Sequence, residues 1–517
     1  MHEQPTMCSN AQTPDAVARR ARVADLVQND PHAPRYHFVA PEGVGRPFDP
    51  NGALYWRGRY HLFYIFQDPA LPHGGHCWGH ASSADLLHWE YHPTALAPAP
   101  GDPETGIFSG CALVNKEGVP TLVYHGVDAG TCIATAEDDG VADDALIRWH
   151  KSAHNPVIPI PRQGDPGWGV YNVFDPHVWL EGDTYYAILG GRVKPHEQYD
   201  TAYLFSSDDL LHWRYERPFY QPNPAWTHPE EDCACPDLFP LGDRHMLLCI
   251  SHPYGARAYL GRWERREGVN TYVPVEHLRM NWPGGPCFAP ESLVDDGGRR
   301  IFWAWALDQR AGEGLVTNEL GVMTLPRVLS LDDEGGLRID PPTELETLRG
   351  EGQRMEGLSL DADAELVLPG IAGDVMELSI VAELAEGATL GVVVRRSAAE
   401  GTVIAVDAAA GTLAIDTTRS TLRDDIFQRH PIARGDVPQS DVRVQVAPLA
   451  LAPGEPLTLR IYLDRSMLEV FANRRQCVTQ RIYPTREDSV GVVLFTRGGS
   501  AVIRSVEAWP LAPVNLG

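Results

Sequence analysis

SSADLLHW at Ser82–Trp89 returns nearly unchanged as SSDDLLHW at Ser206–Trp213, and VADDALIRW at Val141–Trp149 stands between them. The shared pattern is an aspartate, apolar residues and a closing tryptophan. The three tryptophans are spaced by 60 and 64 residues. A second element keeps the same period. ALYWRGRYHLFY, ALVNKEGVPTLVY, VWLEGDTYYAIL, LFPLGDRHMLLCI and LVDDGGRRIFWAW each read as strand, glycine-containing tight turn, strand. Their turn glycines, Gly58, Gly118, Gly182, Gly242 and Gly298, are spaced by 60, 64, 60 and 56 residues. Two independent elements with one period, repeated five times in an all-β pattern, predict a five-bladed propeller of four-stranded blades. A β-sandwich of ordinary hairpins would not keep that period.

Register then places two acids. Phe-Asp-Pro occurs in FDPNG (Phe48–Gly52) and again in FDPHVW (Phe174–Trp179), 126 residues later. Asp49 and Ser109 each lie nine residues before a turn glycine, whereas Asp175, Cys235 and Glu291 each lie seven before theirs. Side chains two apart on a strand share a face. In a propeller the first strand of each blade lines the central channel, so Asp49 and Asp175 are expected to face each other from blades one and three. A lone Asp-Pro is usually a turn starter; two at matched blade positions point to function.

The sixty-residue repeat stops near residue 340. Alternating strands follow, such as Leu457, Leu459, Ile461 and Leu463 before a turn at Asp464-Arg465 and the return strand MLEVFAN. GVVVRR, TVIAVDA and GVVLFT are further short strands. The expected organisation is an N-terminal extension over residues 1–34, a propeller over 35–340 and a β-sandwich over 350–517, with Leu337–Gly352 as the connection. Thr13-Pro14-Asp15 is a helix start, giving one short helix near residues 14–28.

Composition narrows the function. The 517 residues are 43% hydrophobic and 22% charged, and the 48 glycines and 43 prolines suit short strands and turns. A net charge of −26 argues against nucleic acid or an anionic membrane as partner. No apolar run is long enough to span a bilayer, no secretory signal is readable, and nine scattered cysteines read as reduced thiols, so a cytoplasmic location is expected. Oligomeric state is left open. Cys-x-Cys at Cys233 and Cys235, with Cys77, His76 and His80 in HGGHCWGH, invites a metal reading, since alternate strand positions put both thiols on one face. Standard zinc spacing is missing, and buried thiols are the preferred reading. No metal and no cofactor are expected.

A channel mouth lined by carboxylates, tryptophans and hydroxyls suits a carbohydrate. Two carboxyl groups suffice to hydrolyse a glycosidic bond, one as nucleophile and one as general acid. Beyond Asp49 and Asp175, blade four offers Glu230, Glu231, Asp232 and Asp237 in HPEEDCACPDLF, and blade five offers Glu291 in FAPESLVDD.

At these residues the sequence resembles glycoside hydrolase family 32, the invertase, levanase and inulinase family, from about Tyr36 to Leu511. FDPNGALYWRGRYHLFY resembles its Asn-Asp-Pro-Asn-Gly block, and WGHASSADLLHWEYHPTALAP the block after it. FSGCALV (Phe108–Val114) resembles its Phe-Ser-Gly motif. FDPHVW stands where that family has Arg-Asp-Pro, and CPDLF (Cys235–Phe239) where it has Glu-Cys-Pro-Asp. LPRVLSL and LDRSMLEVFAN are similar to its interdomain and sandwich signatures. The resemblance implies a five-bladed propeller followed by a sandwich, with Asp49 as nucleophile and Asp175 as transition-state stabiliser. The departures are concentrated in the pocket: Phe48 replaces the family's Asn, Phe174 its Arg, Ile65 a Gln, and Ala234 the acid/base Glu.

The reading is therefore a retaining glycoside hydrolase of furanosides, foremost a β-fructofuranosidase. Its alternatives are a same-fold furanosidase or fructosyltransferase with another sugar specificity, and a silent carbohydrate-binding protein. Glu231 ranks first as acid/base, ahead of Glu291 and Asp232. Substrate contacts are expected from Asn51, Trp78, Phe108, Ser109, Phe174, Asp232, Asp237 and Glu291.

Overall fold

Each of the three tryptophan repeats closes a tight turn by the same hydrogen bond. The indole Nε1–H of Trp89, Trp149 and Trp213 donates to the carbonyl of the leucine three residues earlier, at 3.1, 2.9 and 2.9 Å. Those leucines, Leu86, Leu146 and Leu210, sit in the left-handed region at φ 68°, 51° and 64°. In the first and third repeats Asp85 and Asp209 accept the following backbone N–H groups. The aspartate thus starts the turn and the tryptophan locks it, which is why the pattern recurs once in each of the first three blades.

The computed structural model describes residues 14–40, 48–68, 71, 75–137, 144–266, 269–310, 321–428 and 441–515. Five antiparallel sheets follow one another along the chain. Their innermost strands are Phe48–Trp56, Ile107–Val114, Pro176–Glu181, Ala234–Leu241 and Cys287–Val294. Four of the sheets have four strands; the second gains short edge strands at Trp149–Lys151 and Ile158–Pro159. All five turn glycines lie at positive φ, between 59° and 82°, a conformation that costs a side-chain-bearing residue energy. Val39–Ala40 pairs with Gly321–Val322, which ties the start of the propeller to its last blade. Leu337–Asp340, assigned from sequence to the connection, is instead the outer strand of blade five, and the link is the 3₁₀ helix Thr343–Leu348.

The helix Pro14–Asn29 buries Val23 and Val27 against the blade-one core. Thr13, its expected cap, lies outside the described residues. No helix among the described residues is long and apolar enough to cross a membrane.

After the link, two six-stranded antiparallel sheets pack face to face around Leu378, Ile380, Val392, Ile404, Ile461 and Leu494. The sandwich grips the propeller through buried polar pairs. The Asp464 carboxylate accepts the backbone N–H of Arg35, Tyr36 and His37, and His37 Nδ1 at 2.8 Å. Arg327 of blade five meets Glu469 of the sandwich at 3.2 Å, both fully buried. Buried charges paired in this way resist separation, because parting them leaves each desolvated and unmatched.

Candidate active site

The channel is built by one device used five times. The innermost strand of each blade opens on a kink at Asp49-Pro50, Ser109-Gly110, Asp175-Pro176, Cys235-Pro236 or Ala289-Pro290. In blades one, two, four and five the strand pairing slips there, the mark of a β-bulge. Cys235 and Ala289 take up the left-handed region at φ 45° and 44°. The kink residues form an upper ring and the residues two further on a deeper one.

Asp49 and Asp175 line one cavity of about 370 Å³, together with Ser109 and Cys235 of the upper ring. Asp49 Oδ2 accepts a long 3.4 Å bond from Ser109, and its Oδ1 has no partner among the described residues although it is buried. Burial, and then the charge of Asp175, push the Asp49 carboxyl up to about 7. Asp175 Oδ2 accepts the Cys235 N–H at 3.0 Å; burial raises this carboxyl to about 6 despite that bond. Two carboxyl groups held close in a dry site do not ionise independently.

Asn51, expected at the substrate, is buried beneath the cavity. Its Nδ2 donates to the Asp49 carbonyl at 2.9 Å and its Oδ1 accepts the Gly110 N–H at 3.0 Å, so it ties the first two bulges together. Trp78 is also fully buried, donating to the Phe108 carbonyl at 3.1 Å, and supports the wall rather than lining it. Phe108, Ser109 and Phe174 do line the cavity.

Glu291 and Asp237 belong to the deeper ring and line no part of it. Glu291 accepts the Ala53 N–H at 3.0 Å, and burial followed by the charge of Asp237 lifts its carboxyl well above the usual range. Asp237 is held by Ser292 at 2.5 Å and faces His177 at 3.5 Å. The register that matched Glu291 to Asp175 is corrected by two residues. The blade-five hairpin closes Val294 on Arg300, a longer turn than the Glu181–Thr184 closure of blade three. Counted from the kink, Ala289 is the counterpart of Asp175.

Glu231, ranked first as proton donor, is fully buried away from the cavity. It is clamped by Arg257 at 3.1 Å and Arg279 at 2.8 Å and accepts the His228 N–H at 2.9 Å. Burial alone would raise its carboxyl, but the two guanidinium charges outweigh it and hold the group below its ordinary value. A carboxylate so paired does not give up protons near neutral pH. Replacing it leaves Arg279 without its carboxylate and Arg257 with Asp200 alone at 3.3 Å, so Glu231→Gln is expected to cost about 3–5 kcal/mol of stability, seen in urea unfolding at pH 7. Because the folded value is depressed, this contribution is complete above the ordinary Glu range and is lost as pH falls through the folded value. Unchanged stability with lost turnover would return Glu231 to a chemical role.

Asp232 stands behind the cavity. Its Oδ2 accepts His252 Nδ1–H at 2.6 Å and its Oδ1 the His252 backbone N–H at 3.0 Å. His252 itself lines the cavity, and sequence reasoning missed it. A signal existed: counted back from the Gly242 turn across the bulge, residue 252 falls opposite residue 232. The rest of the wall is apolar and was only partly anticipated. Phe48, Ile65 and Phe174 are joined by Ile250, Phe288 and Trp305, with Gln67 and His76 as polar exceptions.

The two thiols of Cys233-Ala234-Cys235 do not share a face. Cys233 is buried in the core between blades three and four, whereas Cys235, turned by the bulge, lies with Sγ 3.6 Å from Asp175 Oδ2. Among the described residues, no three His, Cys, Asp or Glu side chains are grouped to hold a metal ion.

Residues 37–341 match the model of the glycosyl hydrolases family 32 N-terminal domain, and residues 344–510 that of the family 32 C-terminal domain. The chain belongs to glycosyl hydrolase family 32. It is 31% identical to a sucrose-6-phosphate hydrolase of Klebsiella pneumoniae, over 88% of this chain and 89% of that one. A levanase of Bacillus subtilis is 29% identical over 94% of this chain and 71% of its own. Fructan 1-exohydrolase IIa of Cichorium intybus shares the fold, with a TM-score of 0.78 at 22% identity, over 94% of this chain and 98% of that one. This family 32 member is a β-fructofuranosidase-type glycoside hydrolase acting on O-glycosyl bonds of a carbohydrate.

Proposed function

We propose that this enzyme hydrolyses a furanoside with retention, that Asp49 attacks the anomeric carbon, and that Asp175 stabilises the charge developing on the ring. The observation that carries the reading is the unpartnered Oδ1 of Asp49, buried in a cavity that also holds Asp175. A carboxylate oxygen left bare in a desolvated site is free to bond carbon, and a second carboxylate beside it stabilises an oxocarbenium-like transition state. A panel of aryl furanosides, with Asp49→Ala as control, tests it. Turnover that survives in the control removes the assignment.

The wall sets the preference among substrates. Phe48, Phe174, Phe288 and Trp305 offer faces and edges to an apolar surface, and Ile65 and Ile250 offer no hydrogen bond at all. A sugar hydroxyl buried against them loses its water without replacement, at ~1–3 kcal/mol each. Among the described lining residues there is no Lys or Arg, so no permanently charged cation is there to bond a phosphorylated sugar. The favoured substrate is a β-fructofuranoside, or a closely related furanoside, carrying an unphosphorylated, apolar group.

Aryl or alkyl fructofuranosides should exceed sucrose and sucrose 6-phosphate by about tenfold or more in kcat/KM, measured in direct competition. That ratio corresponds to ~1.4 kcal/mol, about one poorly satisfied hydroxyl. Sucrose turnover at ~10 per second, an ordinary enzyme rate, would refute this preference.

A further inference from the structure

We propose that His252, held in place by Asp232, is the proton donor and acceptor of the reaction, filling the role for which Ala234 carries no carboxyl group. The inference rests on the assignment of Asp49 as nucleophile.

Elimination leads there first. The ionisable side chains lining the cavity among the described residues are Asp49, Asp175, Cys235, His76 and His252. The first two are occupied by the covalent step and its charge. Burial pushes the Cys235 thiol well up, and the neighbouring carboxylates push it further, so it keeps its proton near neutral pH. His76 shares a ring nitrogen with the Gln67 amide at 3.2 Å, and burial makes its charged form harder to reach. Glu231 is locked to two arginines, and Asp237 and Glu291 lie one layer too deep.

Geometry then gives the mechanism. With Nδ1–H committed to Asp232, the nitrogen free to serve the cavity is Nε2. The ring is nearly buried, with 14% of its side chain exposed, and meets the edge of Phe288 at 6.0 Å. Asp232 is itself anchored, because its carbonyl accepts Arg257 Nη2 at 2.5 Å and the preceding residue is the clamped Glu231. The strong ion pairs of blade four therefore serve the chemistry indirectly: they hold the residue that orients the imidazole, so Asp232 is a positioning residue. An imidazolium backed by a carboxylate is a common general acid.

In the first step Nε2–H protonates the glycosidic oxygen while Asp49 bonds to the anomeric carbon and the carbon–oxygen bond breaks, releasing the alcohol. In the second, neutral Nε2 takes a proton from a water that attacks the same carbon. The ester to Asp49 breaks, and carboxylate and imidazolium are restored. One water is consumed and the enzyme is unchanged.

The test varies the leaving group. His252→Ala should lose about 10²–10⁴-fold in kcat/KM on alkyl fructofuranosides, whose alkoxide cannot leave unprotonated. On a dinitrophenyl glycoside the first step should lose about tenfold or less, because that phenolate needs no proton. Azide should raise turnover of the activated substrate and yield a glycosyl azide, since azide needs no base. An equal loss on both leaving groups, or no response to azide, overturns the proposal. The titratable groups sharing the cavity with His252 are Asp49 and His76 from blade one, Asp175 from blade three and Cys235 from blade four, with Asp232 behind it; blade five contributes Phe288 and Trp305. Asp232→Asn removes the one group bonded to Nδ1, so it should lower kcat with little change in KM, and by more on alkyl than on dinitrophenyl glycosides. Should His252→Ala fail to fold, this leaving-group dependence decides alone, and an equal loss on both substrates refutes the assignment. Activity persisting in Asp49→Ala sinks the nucleophile reading separately, because that variant lacks the carboxylate whatever the proton donor.

Discussion

Asp49→Ala and Asp49→Asn are expected to reduce kcat by about 10⁴-fold or more on any glycoside, activated or not. The covalent step has no substitute in this cavity. Asp175 accepts the Cys235 N–H, and no other carboxylate lines the space among the described residues. A factor of 10⁴ is about 5.5 kcal/mol of barrier, the scale of losing a nucleophile rather than a contact. A second measurement separates chemistry from damage. The Asp49 carboxyl is raised to about 7 because burial and Asp175 both disfavour its charge. Its ionisation therefore opposes folding, and the stability it confers, full below the unfolded value, is lost as pH rises to about 7. Asp49→Asn removes that penalty, so the inactive variant should melt higher than the wild type at pH 8, and the gain should vanish near pH 4. The linkage bound is ~1.4 kcal/mol per pKa unit, or a few kcal/mol at most. Activity within about tenfold of wild type would sink the nucleophile assignment, since ~1.4 kcal/mol is too little for a covalent role. An Asn variant that melts lower at pH 8 would show that the carboxylate is satisfied rather than strained.

The propeller was legible because its signals are local. An aspartate that opens a turn and an indole that closes it three residues past the left-handed position work within eight residues, so they recur in the sequence wherever they recur in space. Asp49 and Asp175 were legible for the same reason, through the proline that follows each. What depended on hairpin length was not. The register that placed Glu291 beside Asp175 counted back from the turn, and blade five has a longer turn, so the count slid by two residues to the deeper ring. What depended on long-range charge was hidden as well. Nothing in Glu230-Glu231-Asp232 says which acid meets Arg257 and Arg279 from later strands, yet those guanidinium groups decide that Glu231 is structural and leave Asp232 for His252. The bulge at Cys235 reversed the alternation that put both thiols on one face, and a left-handed non-glycine residue before proline has no reliable sequence signature. The apolar replacements at Phe48, Ile65 and Phe174 were readable one by one. Their meaning emerges only when Ile250, Phe288 and Trp305 from blades four and five are seen to complete the same wall.

Asp175→Ala should lower kcat by about 10³-fold, and it should also change the pH at which the remaining activity appears. The first effect is the loss of a negative charge beside the developing oxocarbenium ion in a dry site, at ~4 kcal/mol for 10³. The second follows from how the two carboxyl groups are held. Asp49 must be ionised to attack, and burial together with the Asp175 charge keeps it protonated until about pH 7. In the wild type kcat/KM should thus rise through an acid limb near neutrality, well above the ordinary Asp value of ~3.9. Removing Asp175 deletes the like charge and leaves burial, so the limb should move towards acid while staying above that ordinary value. Ser109, which donates to Asp49 Oδ2, and the unpartnered Oδ1 are unaffected by the change, so neither cancels the shift. The measurement is a pH profile of kcat/KM on an activated aryl furanoside, for which proton donation by His252 matters least. Asp175→Asn keeps the shape and removes the charge, so it should show the same shift; a shift in the alanine variant alone would trace to water entering the cavity instead. If both variants keep the wild-type limb, the two carboxyl groups are not electrically coupled, and Asp175 would then act by holding the sugar rather than by stabilising its charge.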